Sequence, residues 1–287
     1  MRRARSGGPL RALLAAAACV ALLACALAAR AATLEVYSQN TLHLGWGKPV
    51  YQTNKNDYIK NKLVATASYD VALLQEVMPK LGGLSTIWPN SPVGKYYVNE
   101  SKAFGKSSYR ETYGVLVNNR LGNVVLPVSG STMTCSTSNA ISRPPCGVLL
   151  KIGLVGTWFL DYHAMFGSVA NRKAEVGKIG AVVQAFQQTS VSGTKYARVV
   201  VGGDWNFPKA DLAKILALGG TTLAPDTETS LNPKGVLSSR YDHFWCTAGM
   251  TCSGATAITA PPAPYSTLPS YRTNVSDHVA VKITVAY

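Results

Sequence analysis

Short apolar runs, most of them preceded or followed by an acid, an amide or a histidine, recur along this chain from Leu34 onward. Runs of that length bounded by turn residues are strand-sized and too short for most helices. Leu34–Ser38, Val71–Leu74, Thr112–Val117, Val148–Ile152, Thr157–Tyr162 and Ala197–Val201 read as strands, and Val279–Val285 alternates like a last one. Helical spacing shows at Asp57–Thr66, with Ile59, Leu63 and Val64 on one face. It shows again at Asn171–Thr189, with Val176, Ile179, Val182, Val183 and Phe186. Ala210–Leu218 reads as a short helix. Many strands with a few interspersed helices predict two packed sheets with helices outside.

Residues 1–32 stand apart from that pattern. Arg2, Arg3, Arg5 and Arg11 precede an unbroken apolar run, Ala12–Ala28, and small residues follow. This is the layout of a secretory signal peptide, with cleavage after Ala28 or Ala31. A membrane anchor is the competing reading, but the run sits at the lower edge of bilayer-spanning length. Leu22-Leu23-Ala24-Cys25 offers a third, a lipid-anchored lipoprotein. The expected location is therefore extracellular or periplasmic. The whole chain carries 28 basic and 14 acidic residues, and five of the Arg and none of the acids lie in residues 1–32. The rest is left with 23 basic against 14 acidic residues, a net +9. Such a charge suits an anionic partner such as nucleic acid or a phosphate ester. The 47% hydrophobic content excludes a disordered chain.

Outside residues 1–32, Cys135, Cys146, Cys246 and Cys252 remain. An even number in an oxidising compartment predicts two disulfides, and local pairing is the simplest of three connectivities. Zinc is the competitor, but the spacings are wrong for a knuckle.

The chemistry-bearing residues follow the strands. Asn40, Gln75-Glu76, Glu111, His163, Asp204 with Asn206, Asp242 and Asp277-His278 all lie at strand ends. Polar groups at successive strand ends can converge on one rim. Glu76 closes a buried run, and a carboxylate there needs a partner or a cation. In extended chain, Asp204 and Asn206 share a face, and such a pair suits a hard cation or a phosphate oxygen. Neighbours on a strand point apart, so Asp277 cannot orient His278. Asp242 is the candidate for that, and Glu111 is the candidate for His163. His43 and His243 carry no assigned role.

Taken in order, these residues resemble the DNase I-like endonuclease/exonuclease/phosphatase family, from Leu34 to Val285. The motifs are Asn40, Gln75-Glu76, Ser108-Tyr109-Arg110-Glu111-Thr112-Tyr113, Arg143 before Pro144-Pro145, His163, Gly203-Asp204-Trp205-Asn206, Tyr241-Asp242 and Ser276-Asp277-His278. The segment Ser108–Tyr113 is close to the DNase I branch, whereas Met78 stands where that branch carries an Arg. The resemblance implies one α+β catalytic domain over 33–287, a four-layer α/β/β/α sandwich of two mixed sheets flanked by helices. It implies Mg²⁺ or Mn²⁺ held by Glu76 with Asn40, Asp277 and Asp204 nearby, and it allows a further structural Ca²⁺. It implies that His278, oriented by Asp242, activates water and that His163, oriented by Glu111, serves the leaving oxygen. Asp204 and Asn206 would position the scissile phosphate, and Tyr109 and Arg143 would contact substrate phosphates.

The leading expectation is a monomeric, non-specific DNA endonuclease reading backbone rather than bases. A secreted sphingomyelinase on the same fold is the alternative, but the five Trp are scattered rather than grouped into a membrane-contacting hairpin. A toxin nuclease similar to cytolethal distending toxin B is another. A catalytically dead binding module would have no need of the full set of acids and His.

Overall fold

The structure, a computed structural model, describes residues 33–45, 49–65, 69–78, 84, 96–105, 110–121, 133–152, 154–216 and 219–287. The expected signal segment, with Cys25, lies outside them, as does Tyr109. The strands are β1 (Thr33–Leu44), β2 (Val71–Val77), β3 (Tyr96–Glu100), β4 (Thr112–Asn118), β5 (Thr134–Cys135), β6 (Cys146–Ile152), β7 (Val155–His163), β8 (Ser190–Val191), β9 (Thr194–Lys195), β10 (Arg198–Asp204), β11 (Thr221–Leu223), β12 (Ser230–Leu231), β13 (Leu237–Ser239), β14 (Asp242–Cys246), β15 (Cys252–Ala257) and β16 (Val281–Ala286). The helices are α1 (Pro49–Asp57, continued by a wider turn over Tyr58–Ala65), α2 (Val169–Val176), α3 (Ile179–Gln188), α4 (Lys209–Ile215) and α5 (Leu268–Asn274).

Two six-stranded sheets form, in the orders β15-β16-β1-β2-β4-β3 and β11-β14-β10-β7-β6-β5. Both are mixed: β1 with β2 and β7 with β10 run parallel, while β4 and β14 run antiparallel to them. Period-two alternation sorts each strand. Val36, Leu73, Val115, Phe159, Val200, Phe244 and Ile283 fill the space between the sheets. The opposite faces meet helices. Trp158, Leu160, Val199, Val201 and Trp245 pack with Val182, Val183, Phe186 and Leu212 of α3 and α4. Tyr37, Ala72, Leu74 and Leu116 pack with Ile59, Leu63 and Val64, and with Tyr271 of α5. The architecture is thus the expected sandwich of two mixed sheets with flanking helices.

Some elements differ from the sequence expectation. The helix read as Asn171–Thr189 is two helices, broken at Gly177, where the Gly177 N–H bonds the Lys173 carbonyl. Glycine is a poor helix-interior residue, and the break lets α3 turn its apolar stripe onto the sheet. The edge strand β15 carries no apolar run; pairing with β16 and a disulfide hold it there. No helix among the described residues is long and apolar enough to cross a membrane.

The two sheets approach closely at Gly202. A Cβ there would sit 2.7 Å from both Leu73 Cδ1 and Phe244 Cε1. Disulfides join Cys135 to Cys146 across β5 and β6, and Cys246 to Cys252, which links one sheet to the other. Gly202→Val should cost about 1–3 kcal/mol by overpacking. Reduction should remove about 2–3 kcal/mol per bridge by loop-closure entropy. Urea unfolding with and without reductant checks both; an unchanged midpoint on reduction would count against any structural role for the bridges.

Candidate active site

The inward-facing set of each strand continues, at one rim, from apolar to polar. Val36 leads to Ser38 and Asn40, Val115 to Tyr113 and Glu111, Phe159 to Asp161 and His163, Val200 to Gly202 and Asp204, and Phe244 to Asp242. Parallel strands end where antiparallel ones begin, so all these residues reach the same edge. Glu76 is the exception. It would point outward after Gln75, but bulges on both sides of β2 re-aim it. Its φ is +55°. Leu42 (φ +46°), His43 (φ +62°) and Asn206 (φ +47°) are also left-handed and also flank the site. Each such residue costs about 1–3 kcal/mol, which fits a functional rim.

Two histidine–carboxylate pairs face each other across Asp204. His278 Nδ1 lies 2.8 Å from Asp242 Oδ2, and His163 Nδ1 lies 3.2 Å from Glu111. The Nε2 atoms of both rings are 3.6 Å from the same Asp204 oxygen. Asn40 Nδ2 donates to Glu76 Oε1 at 3.0 Å and to Asp204 Oδ2 at 3.1 Å, joining the two sheets at the site. The Asn206 N–H donates to Asp204 Oδ1 at 2.8 Å, and Asn206 Nδ2 donates to the Ala164 carbonyl. Asp277 lines the same 260 Å³ cavity as Asn40, Glu76, His163, Asp204, Asn206 and His278.

Arg143 is placed differently from a simple outward phosphate contact. It donates to Glu111 at 2.5 Å and to the carbonyls of His163 and Ala164, bracing the His163 strand end from within. It also lines a second, 920 Å³ cavity beside the first. Met78 is buried, so it reaches no substrate groove. His243 is buried too, and burial lowers it to about 4, so its ring is neutral. Its Nε2 then donates to the Phe207 carbonyl at 2.8 Å, fixing the chain after Asn206. His43 Nε2 lies 3.1 Å from Glu76 Oε2.

Several further groups position these residues, and of them only Ser276 belonged to a sequence motif. The Thr229 hydroxyl accepts from the N–H groups of Tyr241 and Asp242, setting Asp242. Ser276 donates to the Asn40 carbonyl and so ties the His278 loop to β1. Glu175 accepts from the Ser142 and Met165 N–H groups. Lys55 donates to the Leu42 carbonyl, and burial lowers its amine to about 8 against the pull of Glu76 and Asp277. All are ordinary polar residues whose partners lie far away in sequence.

The electrostatics fit a cation. Five carboxylates converge: Glu76, Glu111, Asp204, Asp242 and Asp277. Burial opposes the charged form of His278, yet Asp242, Asp204 and Asp277 together raise its proton affinity well above the usual histidine value. Burial raises the Asp277 carboxyl, and Glu76 raises it further. Glu111 and Asp242 are occupied by their histidines. Glu76 Oε2 faces only His43 Nε2, at 3.1 Å and without hydrogen-bond alignment, among the described residues. Hard carboxylate oxygens at such a place suit Mg²⁺ or Mn²⁺.

A model described as the Endonuclease/Exonuclease/phosphatase family matches residues 53–278. The chain belongs to this family. Its members' fold is also found among solved structures. TDP2 from D. rerio, complexed with single strand DNA product, shares 15% identity over 88% of this chain and 99% of its own, with a TM-score of 0.59. An endonuclease/exonuclease/phosphatase family protein from Bacteroides thetaiotaomicron shares 13% over 90% and 99%, with a TM-score of 0.63. A mannosyl-6-phosphatase from the same bacterium shares 14% over 88% and 100%, with a TM-score of 0.60. At these identities the likeness shows the fold alone. Comparison with curated protein sequences gives no match. As a member of this family, whose enzymes are typically divalent-metal dependent, the chain is a hydrolase of phosphoester bonds, and its carboxylate–histidine clusters could hold such an ion.

Burial alone would raise Glu111, but His163 and Arg143 overcome it and hold its carboxyl at about 2. A depressed carboxyl stabilises the fold fully above its ordinary value of about 4.3, and that contribution is lost as pH falls toward the folded value. Glu111→Gln should therefore be less stable at pH 6, by roughly 3 kcal/mol because the buried Arg143 loses its counter-charge. It should also lose less further stability between about pH 5 and pH 2.5 than wild type does. Urea unfolding across that range reads both, and equal slopes would refute the assignment.

Proposed function

We propose that this chain is a secreted, divalent-metal-dependent phosphodiesterase that hydrolyses the backbone of DNA without reading its bases. The convergence of two histidine–carboxylate pairs on Asp204, beside the re-aimed Glu76, carries this reading. Phosphodiester hydrolysis needs a proton taken from water, a proton given to the leaving oxygen, and relief of developing charge. His278, oriented by Asp242, takes the proton of the attacking water. His163, held by Glu111 and braced by Arg143, faces the leaving oxygen. Asn206 and Asp204 position the phosphate between the rings. Glu76 would hold the cation, with Asn40, Asp204 and Asp277 around it. When bound, a divalent ion supplies charge relief and a template for in-line displacement.

Several observations favour a polymeric anion over a small phosphomonoester. The 920 Å³ cavity adjoins the catalytic one, leaving room for substrate beyond the scissile group. The net +9 of residues 33–287 suits a phosphate backbone. TDP2, which shares the fold, binds single strand DNA product. The Ser108–Tyr113 segment, which includes Tyr109, resembles the DNase I branch. The two disulfides fit an oxidising compartment, in keeping with a signal at residues 1–32.

Purified protein should nick supercoiled plasmid in Mg²⁺ or Mn²⁺ and stop in EDTA. His278→Ala and His163→Ala should each lower the rate by roughly 100-fold or more, with circular dichroism showing that both variants remain folded. Full nicking in EDTA would sink the metal mechanism. A folded protein that nicks nothing but hydrolyses sphingomyelin would replace DNA with a lipid substrate.

A further inference from the structure

One large aromatic ring at the rim has no role in the fold. Phe166 is 80% exposed. It lines the catalytic cavity with His163, Asp204 and His278, and also the larger cavity with Arg143. It therefore stands at the lip between the two.

The ring is held there by a pinned backbone. Just before it, the Ala164 N–H donates to the Asp204 carbonyl at 2.9 Å, and the Ala164 carbonyl accepts from Arg143 at 2.5 Å and Asn206 at 3.0 Å. The Met165 N–H donates to Glu175 at 2.8 Å. Just after it, Ser168 caps α2 by accepting from the Asn171 N–H. A fixed chain presenting an apolar ring to water gains nothing from the hydrophobic effect in the free protein. The ring gains only when something flat and apolar covers it.

We propose that Phe166 is a stacking platform for the nucleobase next to the scissile phosphate, and that the 920 Å³ cavity receives that nucleoside. The inference rests on the nucleic-acid reading above and deepens it. A base joined to a phosphate lying between His163 and His278 is within reach of the lip, because Phe166 borders both cavities. The larger cavity's rim favours a base over an acyl chain. Phe104, Ile141 and Met165 line it as an apolar surface for a flat ring, and the exposed Asn139 and Ser142 add hydrogen-bonding groups for a heterocycle. Stacking of this kind is tolerant of sequence, since every base has a π-face. It gives DNA affinity without base reading.

The test uses two single-stranded substrates of equal length, oligothymidylate and an oligomer of abasic deoxyribose phosphate. Wild type, Phe166→Ala and Phe166→Trp are compared on both, with Mn²⁺. Wild type should prefer the base-bearing strand by about tenfold in kcat/KM. Phe166→Ala should lose that preference through KM with kcat little changed, Phe166→Trp should keep it, and all three should match on the abasic strand. An equal loss on both strands would make Phe166 structural and overturn the proposal. So would unchanged kinetics for Phe166→Ala on oligothymidylate, although the nuclease reading would survive. Wild type that cleaves neither strand but hydrolyses sphingomyelin vesicles would overturn both.

Discussion

The geometry of the site depends on one buried polar link between the sheets. Gln75 of β2 donates to Asp161 of β7 at 2.5 Å and to Ser38 of β1 at 3.1 Å, in a region otherwise filled with Val, Leu and Phe. Burial drives the Asp161 carboxyl well above its ordinary range, which favours a neutral acid and avoids the cost of an ion in an apolar layer. Apolar packing alone is tolerant of sliding, since side chains of similar volume can interdigitate in more than one way. A directional bond is not tolerant in that way. Glu76 follows Gln75 directly, and His163 follows Asp161 by two residues on the same face. Fixing Gln75 against Asp161 therefore fixes a carboxylate of one sheet against an imidazole of the other.

Above that link, Asn40 repeats the device at the surface of the site, bridging Glu76 of its own sheet to Asp204 of the opposite one. The two histidines then approach Asp204 from opposite sides through Nε2, each held at Nδ1 by its own carboxylate. The pairing sets the tautomer and aim of both rings. It also concentrates negative charge, which the fold tolerates through Arg143, Lys55 and hydrogen-bond donors, and which a bound cation would offset further. Left-handed backbone at Leu42, His43, Glu76 and Asn206 is the local cost of aiming these groups, and four of the five such non-glycine residues among those described flank the site.

Much of this was legible beforehand. Alternation in the apolar runs marked the strands, and the acids, amides and histidines before or after most of them marked the rim. Asp277 was ruled out as the partner of His278 because neighbours on a strand point apart, and the structure places Asp242 there instead. Other features left no local trace. Thr229 acts through the backbone of Tyr241 and Asp242 on another strand, and such bonds have no periodicity. Arg143 was read as a substrate-phosphate contact, and the sequence held no sign that three of its donors also brace Glu111 and the His163 strand end. The break at Gly177 was masked by an apolar stripe that runs through both helices.

The sequence by itself determined the sandwich, the order of the motifs and the chemistry available at the rim, because period-two patterning and residue type are local properties. Tertiary structure alone decided which histidine meets which carboxylate, that Glu76 turns inward on a double bulge, and that Phe166 stands bare at the lip of the site. These depend on how two sheets stack and where loops are pinned. Stacking is set by contacts summed over the whole interface, which no single stretch of sequence contains.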